Sequence, residues 1–219
     1  MDLILFDLDN TLLCGDSDYE WAQFLIDKNI LNRNDYEEQN KKFYKDYVDG
    51  TLDIFEFLDF QLRPLAQFPR SELNKWHMEF MDQRIRPMIT QAARDLVDEH
   101  RGELIAIVTA TNSFVTRPIA DEFDIKYLVA TEPEVSSGEF TGRVVGQPPF
   151  REGKVSRVQD WLDSLTLSFE GFSNTIFYSD SINDLPLLQW VRTPIVVNPD
   201  AQLLAHARHE SWKILNLHA

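Results

Sequence analysis

The stretch LILFDLDNTLLCGDSD, residues 3–18, sets a short apolar run against four aspartates, Asp7, Asp9, Asp16 and Asp18. Two other apolar runs end in a similar way. LIAIV (104–108) leads into Thr109-Ala110-Thr111-Asn112, and TIFY (175–178) leads into Ser179-Asp180-Ser181-Ile182-Asn183-Asp184. If the three runs are parallel strands of one sheet, their carboxyl ends share the edge where open α/β sheets bind ligands. Asp7, Asp9, Asp180 and Asp184 would then gather in a small volume beside hydroxyls and amides. Such a cluster cannot stay unpaired at neutral pH without large cost. A hard divalent cation with oxygen ligands relieves it, and magnesium suits one or two carboxylates completed by water and a substrate phosphate. A carboxylate in that setting can act as a nucleophile, and a second one two residues on can move a proton.

The elements that must position these residues are legible in the hydrophobic pattern. LILF (3–6), LIAIV (104–108), TIFY (175–178) and PIVV (194–197) read as buried parallel strands, with KYLVA (126–130) as a fifth. Helical spacing lies between them, at 87–100, 113–123, 152–164, 182–191 and 200–209. Alternating strands and helices predict a doubly wound, Rossmann-like α/β sheet. Much of the interval between the first two strands has helical spacing instead, with no convincing strand, punctuated by Gly50 and Arg63-Pro64. The expected organisation is therefore a catalytic core of 1–14 and 86–219, with a helical cap over 15–85 inserted after the first strand. SSGEFTGRVVG (136–146) reads as a turn-rich hairpin on the far side of the core.

The formal net charge of −15 argues against a nucleic-acid or anionic-membrane partner, whose phosphates it would repel. A single cysteine, Cys14, rules out an internal disulfide and points to a reducing, cytoplasmic setting. The first ten residues lack the basic region of a signal peptide, and no apolar run is long enough to span a bilayer.

The strand-end residues resemble the haloacid dehalogenase superfamily of phosphohydrolases, in its phosphoserine-phosphatase-like branch. Four motifs occur in order: DLDNT, a strand-terminal Thr109, Lys154 opening a helix in REGKVSRVQDWL, and SDSIND. The resemblance implies Asp7 as the nucleophile and Asp9 as the general acid and base. It implies Thr109, Lys154 and Asn183 as phosphate-binding residues. Asp7, Asp9 and Asp180 would hold Mg²⁺, with Asp184 behind them on a metal-bound water or on Lys154. Lys154 near a helix N-terminus is unfavourable for the dipole, in keeping with a task at the phosphoryl group.

The cap residues carry the choice of substrate. SDYE (17–20) is a capping box, so Asp16 reads either as helix-start chemistry or, by position, as the family's contact to a substrate amine. Asp59 falls where phosphoserine phosphatases carry the arginine that grips the substrate carboxylate, and Arg63 lies one turn on. An acid there disfavours phosphoserine and favours a phosphorylated amino alcohol such as histidinol phosphate. The expected function is a Mg²⁺-dependent phosphomonoesterase acting on a small phosphorylated substrate through an aspartyl-phosphate. The competing readings are a phosphoserine phosphatase, phosphoryl transfer to another acceptor, and a non-enzymatic phosphate- or metal-binding module. The cap's aromatic residues read as its internal packing.

Overall fold

The structure is a computed structural model of the full chain, and it describes residues 1–217 with the side chain of Val48 excepted. Among the described residues the strands are β1 (Leu3–Phe6), β2 (Leu104–Asn112), β3 (Tyr127–Ser136), β4 (Glu139–Val145), β5 (Thr175–Ser179), β6 (Thr193–Val197) and β7 (Lys213–Leu215). They form one sheet in the order β4-β3-β2-β1-β5-β6-β7, parallel except for the β3–β4 hairpin. β1 is central, with Phe6 in register with Ile107 on one side and Tyr178 on the other. The chain winds outward from β1 in one direction and returns to its other side. This reversal opens a crevice at the carboxyl end of β1, where Asp7 stands.

Every residue of β1 is buried, as expected of a parallel strand covered on both faces. Ile4 and Phe6 join a cluster with Leu96, Val115 and Ile119, from α6 (Gln91–Asp98) and α7 (Ser113–Glu122). Leu3 and Leu5 face the opposite layer, with Val158, Leu188 and Leu203 from α8 (Glu152–Ser164), α9 (Leu185–Trp190) and α10 (Ala201–His209).

Between β1 and β2 lie α1 (Ser17–Asp27), α2 (Arg33–Val48), α3 (Ile54–Gln67), α4 (Arg70–Phe80) and the short α5 (Arg86–Met88), with a π-helical turn at Met81–Ile85. Leu13 pairs with Ile89 in an isolated antiparallel bridge, and Cys14 N donates to Met88 O at 2.8 Å. These contacts bring the two ends of the helical segment together beside β1. The segment does not have one separate core. Trp21, Phe24, Leu65 and Phe80 belong to the same cluster as Phe6, whereas Ala22, Ile26, Tyr36, Phe43 and Phe60 form a cluster of their own.

Several elements differ from the sequence pattern. β2 continues past Val108 to Asn112, because Thr131 pairs with Asn112 beyond an irregularity in the β2–β3 ladder. The helix expected over 182–191 divides into a 3-10 turn at Ile182–Asp184 and α9. Pro186 at the start of α9 has no amide hydrogen to continue the earlier turn. The hairpin of residues 136–146 is the tip of longer strands β3 and β4. Its β4 lies against α3, with a Cβ on Gly142 coming 3.2 Å from that of Ala66, so it abuts the helical segment. No strand was expected at β7, whose three residues offer no periodicity. Among the described residues no helix is long and apolar enough to cross a membrane.

Candidate active site

The loop after β1 is folded by its own backbone. Leu12 and Leu13 N donate to Leu8 O, and Asn10 N donates to Gly15 O at 2.9 Å. Gly15 has φ of +144°, a region open to glycine, and a Cβ there would meet the Met88 side chain at 2.8 Å. This loop turns Asp7 and Asp9 in different directions, and their surroundings differ accordingly.

Asp7 is buried and accepts from Lys154 Nζ at 2.7 Å and from Thr11 Oγ1 at 3.1 Å. Lys154 donates equally to Asp184 at 2.7 Å, and Asp184 also accepts from Ser179 Oγ at 2.6 Å. Burial works against the lysine's charge, but Asp184 and Asp7 outweigh it, and the pKa of Lys154 is raised. Burial pushes the Asp7 carboxyl up to about 7, with Lys154 opposing and Asp184 adding to the rise. Lys154 reaches this position because α8 starts close to the preceding loop. A Cβ on Gly153 would lie 2.4 Å from Pro148 O, so only glycine fits there.

Asp9 is held by different donors. Its Oδ1 accepts from Ser17 N at 2.6 Å and its Oδ2 from Thr111 Oγ1 at 2.9 Å. Burial, with Asp16 adding to it, pushes the Asp9 carboxyl up to about 6, close to the range where a group can both give and take a proton. The first amide of α1 and the end of β2 thus fix this carboxylate from two sides.

Asp180 shares the Thr11 hydroxyl with Asp7, at 3.3 Å. Burial first, then the charges of Asp7 and Asp184, raise its pKa. Three carboxyl groups, Asp7, Asp180 and Asp184, thus share a single ammonium, that of Lys154, so acids exceed bases at this end of the cavity. Hard oxygen donors with that excess fit a divalent cation that keeps water or phosphate among its ligands. They do not form an all-protein cage. Among the described residues no group of three or more His, Cys, Asp or Glu side chains is arranged to hold a metal. Of the three residues expected to hold the metal, Asp7 and Asp180 share the Thr11 hydroxyl, whereas the Asp9 carboxylate is turned to Ser17 and Thr111.

A cavity of about 880 Å³ opens over these residues, and Asp7, Asp9, Thr109, Lys154, Asp180, Asn183 and Asp184 all line it. Thr109 Oγ1 accepts from Thr111 N at 3.1 Å, and Asn183 Oδ1 accepts from Arg151 Nε at 3.0 Å. The roof comes from the helical segment. Tyr47 of α2 bonds Ser181 Oγ at 2.6 Å, and Arg151 reaches across to Gly50 O at 2.8 Å. Tyr47, Phe43, Tyr44 and Phe57 line the cavity, so part of the aromatic content expected as cap packing also faces the site.

Asp16 lines the cavity and also caps α1, its Oδ1 accepting from Asp18 N and Tyr19 N at 2.9 Å each. The helix-start reading of this residue holds in the geometry, and the cap residue is Asp16 rather than the Ser17 of the capping box, whose amide is committed to Asp9. Asp59 and Arg63 are not brought to the cavity. They pair with each other at 3.1 Å on an exposed face of α3, whose buried residues Leu58, Phe60, Leu62 and Leu65 turn the other way. Sequence reasoning gave no role to Thr11, Thr111, Asp18, Glu37 or Asn40. Thr11, the last residue of DLDNT, had a signal in its motif position; those on α2 had none.

A family model for haloacid dehalogenase-like hydrolases matches residues 4–189. The histidinol-phosphatase of Neisseria meningitidis serogroup C is 43% identical over 217 residues, covering 98% of each chain. Phosphoserine phosphatase SerB1 of Mycobacterium tuberculosis is 30% identical over 223 residues, covering 95% of this chain and 68% of that one. A crystal structure of a protein from Bordetella pertussis Tohama I matches with a TM-score of 0.94 at 45% identity, covering 99% of this chain and 98% of that one.

Proposed function

The chain belongs to the haloacid dehalogenase-like hydrolase family, and from that premise we propose that it is a magnesium-dependent phosphomonoesterase acting on a small phosphorylated metabolite, histidinol phosphate foremost. The observation that carries this reading is the division between Asp7 and Asp9. One carboxylate is held by an ammonium and a hydroxyl at the centre of an anionic cluster, and the other by a backbone amide and a hydroxyl facing the same cavity. Two carboxyls in unlike environments divide the roles of nucleophile and acid.

In this reading an Asp7 oxygen attacks phosphorus and the ester P–O bond breaks, leaving an aspartyl-phosphate. Asp9 gives its proton to the departing alcohol oxygen. It then takes a proton from water, whose oxygen attacks the same phosphorus, and inorganic phosphate leaves as the Asp7 carboxylate re-forms. Lys154, Thr109 and Asn183 bind the phosphoryl oxygens, and Asp184 and Ser179 hold Lys154 in place. Asp7 and Asp180 would hold Mg²⁺, which when bound supplies Lewis-acid stabilisation of the phosphoryl charge. The helical segment 15–85 acts as a cap that excludes bulk water. The lone cysteine supports a cytoplasmic setting.

The name of the 43% identical relative supports histidinol phosphate. So does the cavity lining, where Asp16, Asp18 and Glu37 outnumber Lys41 beyond the phosphate end. Phosphoserine is the second reading, favoured by Lys41, the cation at that end able to meet a substrate carboxylate. Phosphate release from histidinol phosphate, phosphoethanolamine and phosphoserine tests both. With Mg²⁺, histidinol phosphate should have the highest kcat/KM, and EDTA should abolish release until Mg²⁺ is restored. Full activity after exhaustive chelation would refute the metal assignment, and a higher kcat/KM for phosphoserine would establish the second reading.

A further inference from the structure

The acids on the cap side of the cavity are not equivalent. Asp16 uses one oxygen as the helix cap. Glu37 is paired with Arg33 at 2.8 Å. Asp9 is held at both oxygens. Asp18 stands apart. It is 5% exposed and lines the cavity, and among the described residues no hydrogen-bond donor or cation meets its carboxylate. The charges closest to it in effect are Asp16 and Asp9, both acidic. Tyr36 feels its charge, but the Tyr36 hydroxyl is turned to Gln61 Oε1 at 3.5 Å. Lys41 lines the same cavity from an exposed position on α2 and makes no bond to Asp18. Asn40, also lining the cavity, has a buried Nδ2 with no partner.

A buried carboxylate without a donor is costly, and ordinary folds pair it or replace it. Its place in the first turn of α1 offers only the partial charge of a helix N-terminus. The missing partner is a cation, and the open space beside Asp18 is the cavity itself. We propose that Asp18 determines leaving-group specificity, receiving a cationic nitrogen, ammonium or imidazolium, on the alcohol portion of the phosphomonoester. The rings of Phe43, Tyr44 and Phe57 give it an apolar and π-rich wall. The inference rests on the phosphomonoesterase reading above and assigns the selective contact to Asp18, with Asp59 playing no part.

The test compares a cationic with a neutral leaving group. kcat/KM is measured on histidinol phosphate and on glycerol 3-phosphate for the unmodified protein, Asp18→Asn, Asp18→Ala and Asp59→Asn, each checked for folding by circular dichroism. The ratio of cationic to neutral ester should fall at least tenfold in both Asp18 variants, mainly through KM, and stay within twofold in Asp59→Asn. A ratio that Asp18→Asn leaves within threefold overturns the proposal. Isothermal titration with histidinol, the free alcohol, provides a readout that needs no turnover. The unmodified protein should bind it at least tenfold more tightly than Asp18→Asn, and equal behaviour of the two proteins overturns the proposal. If no phosphomonoester is hydrolysed by the unmodified protein, the activity reading fails, and the titration still decides the role of Asp18.

Discussion

Asp7 and Asp9 are separated by one residue yet meet different elements, and the proposed division of roles rests on that difference. Asp7 faces Lys154 from α8, whereas Asp9 faces Ser17 from α1 and Thr111 from β2. Asp7→Asn keeps the shape of the side chain but removes the proposed nucleophile. Its kcat on the best phosphomonoester should fall by about 10³-fold or more, with an unchanged circular dichroism spectrum. A folded variant retaining even a few per cent of activity would sink the assignment. Most residues at the phosphate end were legible in the sequence because each follows directly on a buried strand, so local pattern alone carries them to the sheet edge. Asp59 and Arg63 illustrate what was not legible. Their helix was evident, but its rotation depends on how its apolar residues meet the rest of the fold, and that contact is long-range. Asp18 carries no functional signal in the sequence, because the lack of a partner is visible only once its neighbours are in place.

At the scale of elements, the site depends on α8 beginning where it does. The limits of this helix, 152–164, were readable from REGKVSRVQDWL, and the structure matches them. What the pattern did not disclose is the closeness of Gly153 to Pro148 O, 2.4 Å from a would-be Cβ. Gly153→Ala should push the start of α8 outward, costing about 1–3 kcal/mol as overpacking against backbone. Because Lys154 is the next residue, kcat should fall more than that loss of stability accounts for. Urea unfolding and steady-state kinetics on one preparation separate the two effects. The roof of the site is fixed by contacts equally hidden from periodicity. Tyr47 meets Ser181 across 134 residues of sequence, and Arg151 joins Gly50 to Asn183. Tyr47→Phe deletes one of these links while keeping the ring in the cavity wall. It should raise KM several-fold with a smaller change in kcat, as expected if the hydroxyl helps hold the cap closed over bound substrate; equal KM values would show the link to be idle.

The whole molecule carries a net charge of −15 and concentrates acids at one cavity. Alternation of strands and helices made the doubly wound core legible, since each element is short and declares its own period. The shared core between α1, α4 and the sheet was not, because the helical residues that join it show the same spacing as those that form the separate cluster. A fold that stores anionic groups near a ligand site should be less stable empty than its contacts alone would make it, and Asp18 gives the clearest measure. Burial raises its pKa well above the ordinary carboxylate value, and Asp16 and Asp9 add to the rise. Between the unfolded and folded pKa values, the folded state therefore binds more protons than the unfolded chain. This group's contribution makes stability fall as pH rises through that window and leaves the deficit in place above it. Asp18→Asn removes the charge and hence the deficit. In the ligand-free protein its Tm should match the unmodified value at about pH 3, below the window. It should exceed it by about 2–4 °C above the window, which corresponds to about 1 kcal/mol at this chain length. Scanning calorimetry across that range checks the sign. A variant less stable at the higher pH would mean that the ionised Asp18 carboxylate stabilises the fold, and that no cationic ligand is needed to complete it.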